Sequence, residues 1–433
     1  MSSLRFATKL IRNSYTLLFY LCLPFAFLRL LNNSRKNTAY RHHWLERLGF
    51  AAPCQKQSIW IHSVSVGETI AAIPLITKLI NQYPSLNIHI TTTTPTGREQ
   101  VIHHLSNQVT YSYVPYDIPN LINRLITRIN VIMCIVMETE IWPNMLTVCH
   151  QKNIPILLAN ARLSKKSYKN YARFKGIATD IFNLFSVIAA QNKIDADHYQ
   201  DLGVDPHRIC ITGSIKFDRM IPTDIQPTAD QLRHDWALLN RPVIVAASTR
   251  ENEEGFILDA FVCVKKIHPD AFLILVPRHI NRTPHIAQLC QTKGLTVCYR
   301  SQSSTGPIIQ DLLIGDTIGE LLLFYALADI AYVGGSLVNT GGHNMLEPAA
   351  LCKPIITGPY LRNFKAISEV LVNAHAQLIV HNTQELADTW NRLIDTPTER
   401  QSLGKQALAI YNSNQGATEK HVMITAELLG NKS

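Results

Sequence analysis

The sequence predicts an α/β protein of two doubly wound, Rossmann-like domains that face a cleft, preceded by an N-terminal membrane anchor. Three observations predict it. From residue 58, short β-rich apolar runs alternate with helical stretches, as a parallel sheet covered on both faces requires. The alternation lapses over residues 218–231 and then starts again. Ahead of both halves lies an uncharged, largely apolar run, Asn13–Leu28, with basic residues on either side. The length agrees, since 433 residues exceed one ordinary core. Hydrophobic residues make up 46% and charged residues 17%, which is too much apolar material and too little charge for disorder.

The N-terminal element is marked by charge. The net charge is +9, yet residues 1–50 carry eight Lys/Arg and a single acid, Glu46, and the rest of the chain is almost neutral. The excess positive charge therefore belongs to the N-terminus and not to a nucleic-acid groove. The apolar run is shorter than the roughly 20 residues of a spanning helix, and Pro24 interrupts it. A cleaved signal peptide, a single span and a shallow anchor on anionic headgroups are the three readings. The last two put the protein at a membrane. The nine cysteines form no CxxC pair and no zinc-like cluster with histidine, so they read as buried thiols in a reducing compartment, with the catalytic part on the cytoplasmic side. These features divide the chain into an anchor at 1–36, a first domain at 37–218 and a second at 219–433, with a linker at about 218–231.

Seven runs of the first domain read as strands: SIWIHSV, NIHITTTT, VTYSYVPYD, VIMCIVME, IPILLANA, SVIAAQ and ICITGSIKF. The linker holds two prolines and no apolar period. Six further runs follow: PVIVAAST, AFLILVP, LTVCY, IIQDLLIG, IAYVGG and PIITGP. In such domains ligands bind beyond the carboxyl ends of the strands, where the motifs fall.

The first strand runs into HSVSVGE, which places Glu68 in the first turn of a helix. An acid there complements the helix dipole, or serves as general base toward an incoming hydroxyl. VMETEIWPN ends another strand with Glu138 and Glu140, which strand alternation would put on one face, or in a solvated loop. GSIKF places Lys216 after a strand, on the surface or against an acidic substrate. In the second domain Ser248 and Thr249 of AASTRENEE read as helix caps, and Arg278 of VPRH as a surface arginine or a phosphate clamp. YVGGSLVNTGGHNMLEPAA joins two glycine pairs to a helix start carrying Asn344 and Glu347. Bare amides at such a turn suit an anion, and Glu347 suits neutral hydroxyls such as a ribose. The stretch is neither GxGxxG nor a P-loop, so NAD and Walker-type ATP sites are not indicated.

Taken in order, HSVSVGE, TTTTPTG, ETEIWPN, NARLSKKSY, GSIKFD, VPRH, DTIGEL and VGGSLVNTGGHNMLEPA resemble the Kdo (3-deoxy-D-manno-octulosonic acid) transferases of lipopolysaccharide synthesis. The resemblance spans nearly the whole chain and implies the glycosyltransferase B architecture, with an acceptor-binding first domain and a CMP-sugar-binding second domain. It implies an inverting transfer of Kdo from CMP-Kdo to the lipid A precursor, lipid IVA, at the cytoplasmic face of the inner membrane, with no metal and no cofactor. By this resemblance Glu68 is the proton acceptor, and Glu138 and Lys216 support the transition state. Pro277, Arg278, Ile318, Gly319, Glu320, Asn344, Met345, Leu346 and Glu347 hold CMP. The chain departs from the family at Met345, where proline is usual and backbone contacts are expected. A nucleotide-sugar epimerase or a transferase of another sugar is the competing enzyme class. A membrane-bound lipopolysaccharide-binding scaffold is the non-enzymatic alternative.

Overall fold

The computed structural model describes residues 5–35, 38–303 and 306–430. Two units divide the chain: Met1–Arg219 together with Gln415–Ser433, and Met220–Asn414. Each holds one seven-stranded sheet in which every strand pair is parallel.

In the first unit the strands are β1 Ser58–His62, β2 Asn87–Thr92, β3 Thr110–Tyr113, β4 Val131–Met137, β5 Ile156–Ala161, β6 Val187–Ala190 and β7 Ile209–Ile211. Their order is β3-β2-β1-β4-β5-β6-β7, so the winding reverses between β1 and β4. Successive side chains of these apolar strands enter opposite layers. Trp60, Cys134, Val136 and Leu158 join one core, and Ile59, Ile61, Ile135 and Leu157 join the other. Each fully buried Leu or Ile contributes about 1.5–3 kcal/mol, which is why both faces must be covered. The second core is closed by the helices Val66–Gln82 and Ala417–Gly430.

In the second unit the strands are β8 Val243–Thr249, β9 Phe272–Pro277, β10 Val297–Tyr299, β11 Leu312–Ile314, β12 Ile330–Val333, β13 Ile355–Thr357 and β14 Gln377–Ile379. The order β10-β11-β9-β8-β12-β13-β14 reverses between β8 and β12. Thirteen of these fourteen strands lie within the predicted runs; β14, a three-residue edge strand, does not.

The units divide between Arg219 and Met220, within the expected linker 218–231, whose later part lies in the helix Ile225–Asp235. Its Pro227 sits in the first turn, where an amide has no intrahelical partner to lose. Two expectations are corrected. The second domain does not run to residue 433, because Gln415–Ser433 returns to the first unit. The apolar N-terminal run is not broken at Pro24: one helix spans Phe6–Asn33, 28 residues, with Pro24 inside it.

That helix is held along the first unit by its polar side. Thr8 and Arg5 reach Asp180, and Thr16 exchanges hydrogen bonds with Asn144. Near its end Phe27 meets the rings of Trp44 and Tyr116 edge-on, at 5.7 and 6.1 Å. Phe6, Leu10, Leu17, Leu21, Phe25 and Leu28 are exposed. The segment Phe6–Asn32 has a mean hydropathy of 1.6 and is long and apolar enough to cross a membrane.

Candidate active site

In the first unit the predicted residues gather beyond the strand ends, around the point where the winding reverses. Ser65 caps the helix Val66–Gln82 by accepting the Glu68 amide at 3.2 Å. The Glu68 carboxylate answers at the same turn. Its Oε2 accepts from the Val64 amide at 2.7 Å and its Oε1 from the Ser65 hydroxyl at 2.9 Å. The S-x-x-E spacing thus forms a variant of the capping box. The dipole and base readings of Glu68 are therefore compatible: the cap is what aims the carboxylate. Burial pushes its carboxyl above the usual range, the bonds from Val64 and Ser65 pull it down, and Glu140 and Glu138 add a further upward push. Thr93 of the TTTTPTG motif donates to the Val64 carbonyl at 2.7 Å, and the Thr93 carbonyl receives the buried Arg47 at 2.8 Å.

Glu138 and Glu140 are neighbours, but not by strand alternation. Strand β4 ends at Met137, and Glu138 takes the left-handed conformation, with φ 55°. Strain of this kind in a non-glycine residue is concentrated at functional sites. Its Oε1 receives Lys216 Nζ at 2.8 Å and the Asn160 amide nitrogen at 3.4 Å. Glu140 accepts from the Trp142 indole at 2.9 Å; burial, and then Glu138, raise its carboxyl, while the indole lowers it. Glu68, Glu138, Glu140 and Lys216 thus form one charged group with a single cation against three carboxylates.

In the second unit a cavity of about 490 Å³ opens beyond β8, β9 and β11. Pro277, Arg278, Ile318 and Gly319 line it, as do Ser248 and His279. Ser248 is no helix cap: the helix is Glu254–Ile267, and Ser248 faces the cavity at φ 59° in a β-bulge before Thr249. Glu320 is engaged beside the cavity, with Oε1 on Arg300 at 2.7 Å and Oε2 on the Thr317 hydroxyl. Asn344, Met345, Leu346 and Glu347 are not among the residues lining this cavity. Asn344 caps the Leu346 amide at 3.2 Å, Met345 and Leu346 are buried, and the expected helix is only Leu346–Ala350.

The residues that build this end of the unit were less legible. Glu253, fully buried, accepts at Oε1 from Tyr332, Ser336 and Leu337 and at Oε2 from Gly335 and Arg250, at 2.6–3.1 Å. It holds the glycine turn after β12. Gly335 needs its φ of 67° there, and a Cβ on Gly334 would meet Thr249 Cα at 2.8 Å. Arg250 donates to His343 Nε2 at 3.1 Å and His279 Nε2 at 2.9 Å. An arginine only donates, so both rings are neutral, with the proton on Nδ1. Burial first, then Arg250, Arg278 and His279, hold His343 down to about 4. Among the described residues neither Arg250 nor Arg278 forms an ion pair, so this end of the sheet carries unbalanced positive charge suited to an anion. The signal for Glu253 and Arg250 was in AASTRENEE, where only helix-capping residues were read.

Residues 42–219 match the family described as 3-deoxy-D-manno-octulosonic-acid transferase (kdotransferase). The chain is 38% identical over 412 residues to the 3-deoxy-D-manno-octulosonic acid transferase of Haemophilus influenzae, covering 94% of this chain and 96% of that one. It is 33% identical over 398 residues to the enzyme of the same name from Bordetella pertussis, covering 89% and 90%. The solved glycosyltransferase of Rickettsia africae shares the fold, with a TM-score of 0.58 at 15% identity over 87% of this chain and 100% of that one. The chain therefore belongs to the 3-deoxy-D-manno-octulosonic acid transferases and is a glycosyltransferase of lipopolysaccharide biosynthesis with a glycosyltransferase B type fold.

Proposed function

We propose that this enzyme moves Kdo from CMP-Kdo to the lipid A precursor, lipid IVA, with inversion, and that Glu68 is the base. The observation that carries the reading is the Glu68 carboxylate, aimed by Val64 and Ser65 and raised above the ordinary carboxylate range by burial. A carboxylate raised in this way is a better proton acceptor than an exposed glutamate. A bond forms between the acceptor hydroxyl oxygen and the anomeric carbon of Kdo. The bond from that carbon to the phosphate oxygen breaks, CMP leaves with the electron pair, and the proton passes to Glu68. Positive charge develops on the sugar and negative charge on the phosphate, as in glycoside cleavage. Arg278 and Arg250 answer the phosphate, and the Glu138–Lys216 pair supports the transition state beside the base. The cytidine occupies the cavity of the second unit, with Pro277, Ile318 and Gly319 at its wall. Asn344 to Glu347, at the start of the helix Leu346–Ala350, hold a further part of CMP.

The helix Phe6–Asn33 suits a shallow anchor at the cytoplasmic face of the inner membrane. Its polar side is taken up by the first unit, its apolar side is exposed, and Lys9 and Arg29 suit anionic headgroups. The test is transfer by the purified full chain from CMP-Kdo to lipid IVA, read by product mass. A lipid heavier by whole Kdo residues supports the reading. An unmodified lipid, with CMP-Kdo bound or not, sinks it.

A further inference from the structure

We propose that the C-terminal helix Ala417–Gly430 belongs to the catalytic apparatus of the first unit, with its His421 a positioning residue that acts through Asn160 on the Glu138–Lys216 pair. This rests on the reading of that pair given above. The chain leaves the first unit at Arg219 and returns at Gln415. The return is fastened beside the site: the Asp218 carboxylate accepts from the Gly416 amide at 2.7 Å and from the Thr418 amide. Asp218 ends the 3-10 turn Ile215–Asp218, which carries Lys216.

Asn160 stands where these segments meet. It is fully buried in β5 and takes the left-handed conformation, φ 53°, which asparagine tolerates better than most residues. That turn removes its amide from the strand ladder: the flanking ladder bonds run from Glu138 to the Ala159 carbonyl and from Gln191 to the Ala161 carbonyl. The displaced Asn160 amide donates instead to His421 Nε2 at 2.9 Å. Its side chain then serves both members of the pair. Nδ2 donates to Glu138 Oε1 at 3.4 Å, and Oδ1 accepts from the Ile215 amide, next to Lys216, at 3.2 Å. Its carbonyl accepts from Gln191 at 2.9 Å.

The ring of His421 has one workable state. Nδ1 lies 2.7 Å from the Ala417 carbonyl, which only accepts, so Nδ1 carries the proton. Nε2 faces an amide, which only donates, so Nε2 must be bare. A buried neutral imidazole is thereby fully satisfied, and it is the partner of a backbone group that the sheet leaves unpaired. An apolar side chain would fill the same volume but would leave the Asn160 amide orphaned and free the turn that aims Glu138 and Lys216.

The experiment compares His421→Asn with His421→Gln in the full chain, measuring kcat and the KM for CMP-Kdo with lipid IVA as acceptor. Asparagine retains a group at the Nδ1 position but does not reach Asn160; glutamine places an oxygen near the Nε2 position. The expected result is a roughly tenfold to hundredfold loss of kcat in His421→Asn with an unchanged KM for CMP-Kdo, and recovery to within about threefold in His421→Gln. In a Lys216→Ala background His421→Asn should add no further loss. Wild-type kcat in His421→Asn, no advantage of glutamine over asparagine, or a full multiplicative loss on top of Lys216→Ala would overturn the inference. If His421→Asn does not fold, as read by its melting, Asn160→Asp decides: kcat falls if Asn160 aims Glu138, and is unchanged if it does not. Glu138→Gln and Lys216→Ala run alongside separate the two readings. Wild-type kcat in those variants removes the pair's role altogether, whereas their loss with a fully active His421→Asn removes only the role of the C-terminal helix.

Discussion

Lys216 Nζ lies 2.8 Å from Glu138 Oε1, although the two residues follow strands that are separated in the sheet by β5 and β6. The contact is made by the loops beyond the strand ends, and both side chains are half-buried. Each partner is therefore held where the other neutralises it. Glu138→Gln and Lys216→Ala should each lower kcat about 10²–10³-fold, as loss of an aimed charge in an active site does. Because the pair acts as a unit, the double variant should be no slower than the worse single variant, which a double-mutant cycle on kcat measures.

Glu253 predicts a different pattern. Its two oxygens accept four backbone amides and the Tyr332 hydroxyl. Glutamine offers one oxygen, so Glu253→Gln leaves buried amides of the glycine turn without partners, at about 1–3 kcal/mol each. The expected outcome is a lower denaturant midpoint together with a KM for CMP-Kdo raised about tenfold, as loosening of a donor-site loop would give. An unchanged donor KM in a destabilised protein would confine Glu253 to a structural role.

The strand order and the chemistry were legible to different degrees. Thirteen strands were visible because apolar, β-branched runs such as VIMCIVM must be buried on both faces. Strand β14 was not, since QLI opens on a polar residue and, at the sheet edge, is only partly buried, so it lacks the apolar run of an inner strand. Glu68 was visible because a strand, a small-residue turn and a carboxylate follow one another within a few residues. The link of Asn160 to His421 was not: Asn160 opens the NARLSKKSY motif, but His421 lies in a helix with no motif, and only the fold brings residues 160 and 421 together. The return of Gln415–Ser433 to the first unit was hidden for the same reason, because amphipathic spacing says that a face is covered but not by which sheet. The spacing of Glu138 and Glu140 suits strand alternation, but β4 ends at Met137 and the left-handed turn at Glu138 sets their positions instead.

The acid limb of activity should report the neighbours of Glu68. Burial first, and then the charges of Glu140 and Glu138, raise its carboxyl above the usual 4.5. A base works only when ionised, so kcat/KM should fall as pH drops through this raised value. Glu140→Gln removes one repelling charge, which lowers the carboxyl of Glu68 and moves the acid limb to lower pH. A pH–rate profile of the two proteins checks the direction.

The exposed side of the helix Phe6–Asn33 should govern membrane attachment separately from catalysis. Replacing Leu17, Leu21 and Phe25 by serine leaves the bonds of Thr8 and Thr16 in place. Each side chain removed from an apolar phase costs roughly 1.5–3 kcal/mol, so binding to anionic vesicles should drop well over tenfold. Sedimentation with vesicles reads the loss, and melting of the soluble fraction should be unchanged.

A single-turnover measurement decides whether the Glu68 carboxylate is the base. Wild type and Glu68→Gln are loaded with CMP-Kdo, whose binding is measured first, and mixed with saturating lipid IVA. The expected result is equal donor binding and a rate of Kdo transfer about 10³-fold lower in Glu68→Gln, within the range for removal of a general base. Transfer by Glu68→Gln within a few-fold of wild type would contradict it and leave Glu68 as the cap of its helix alone.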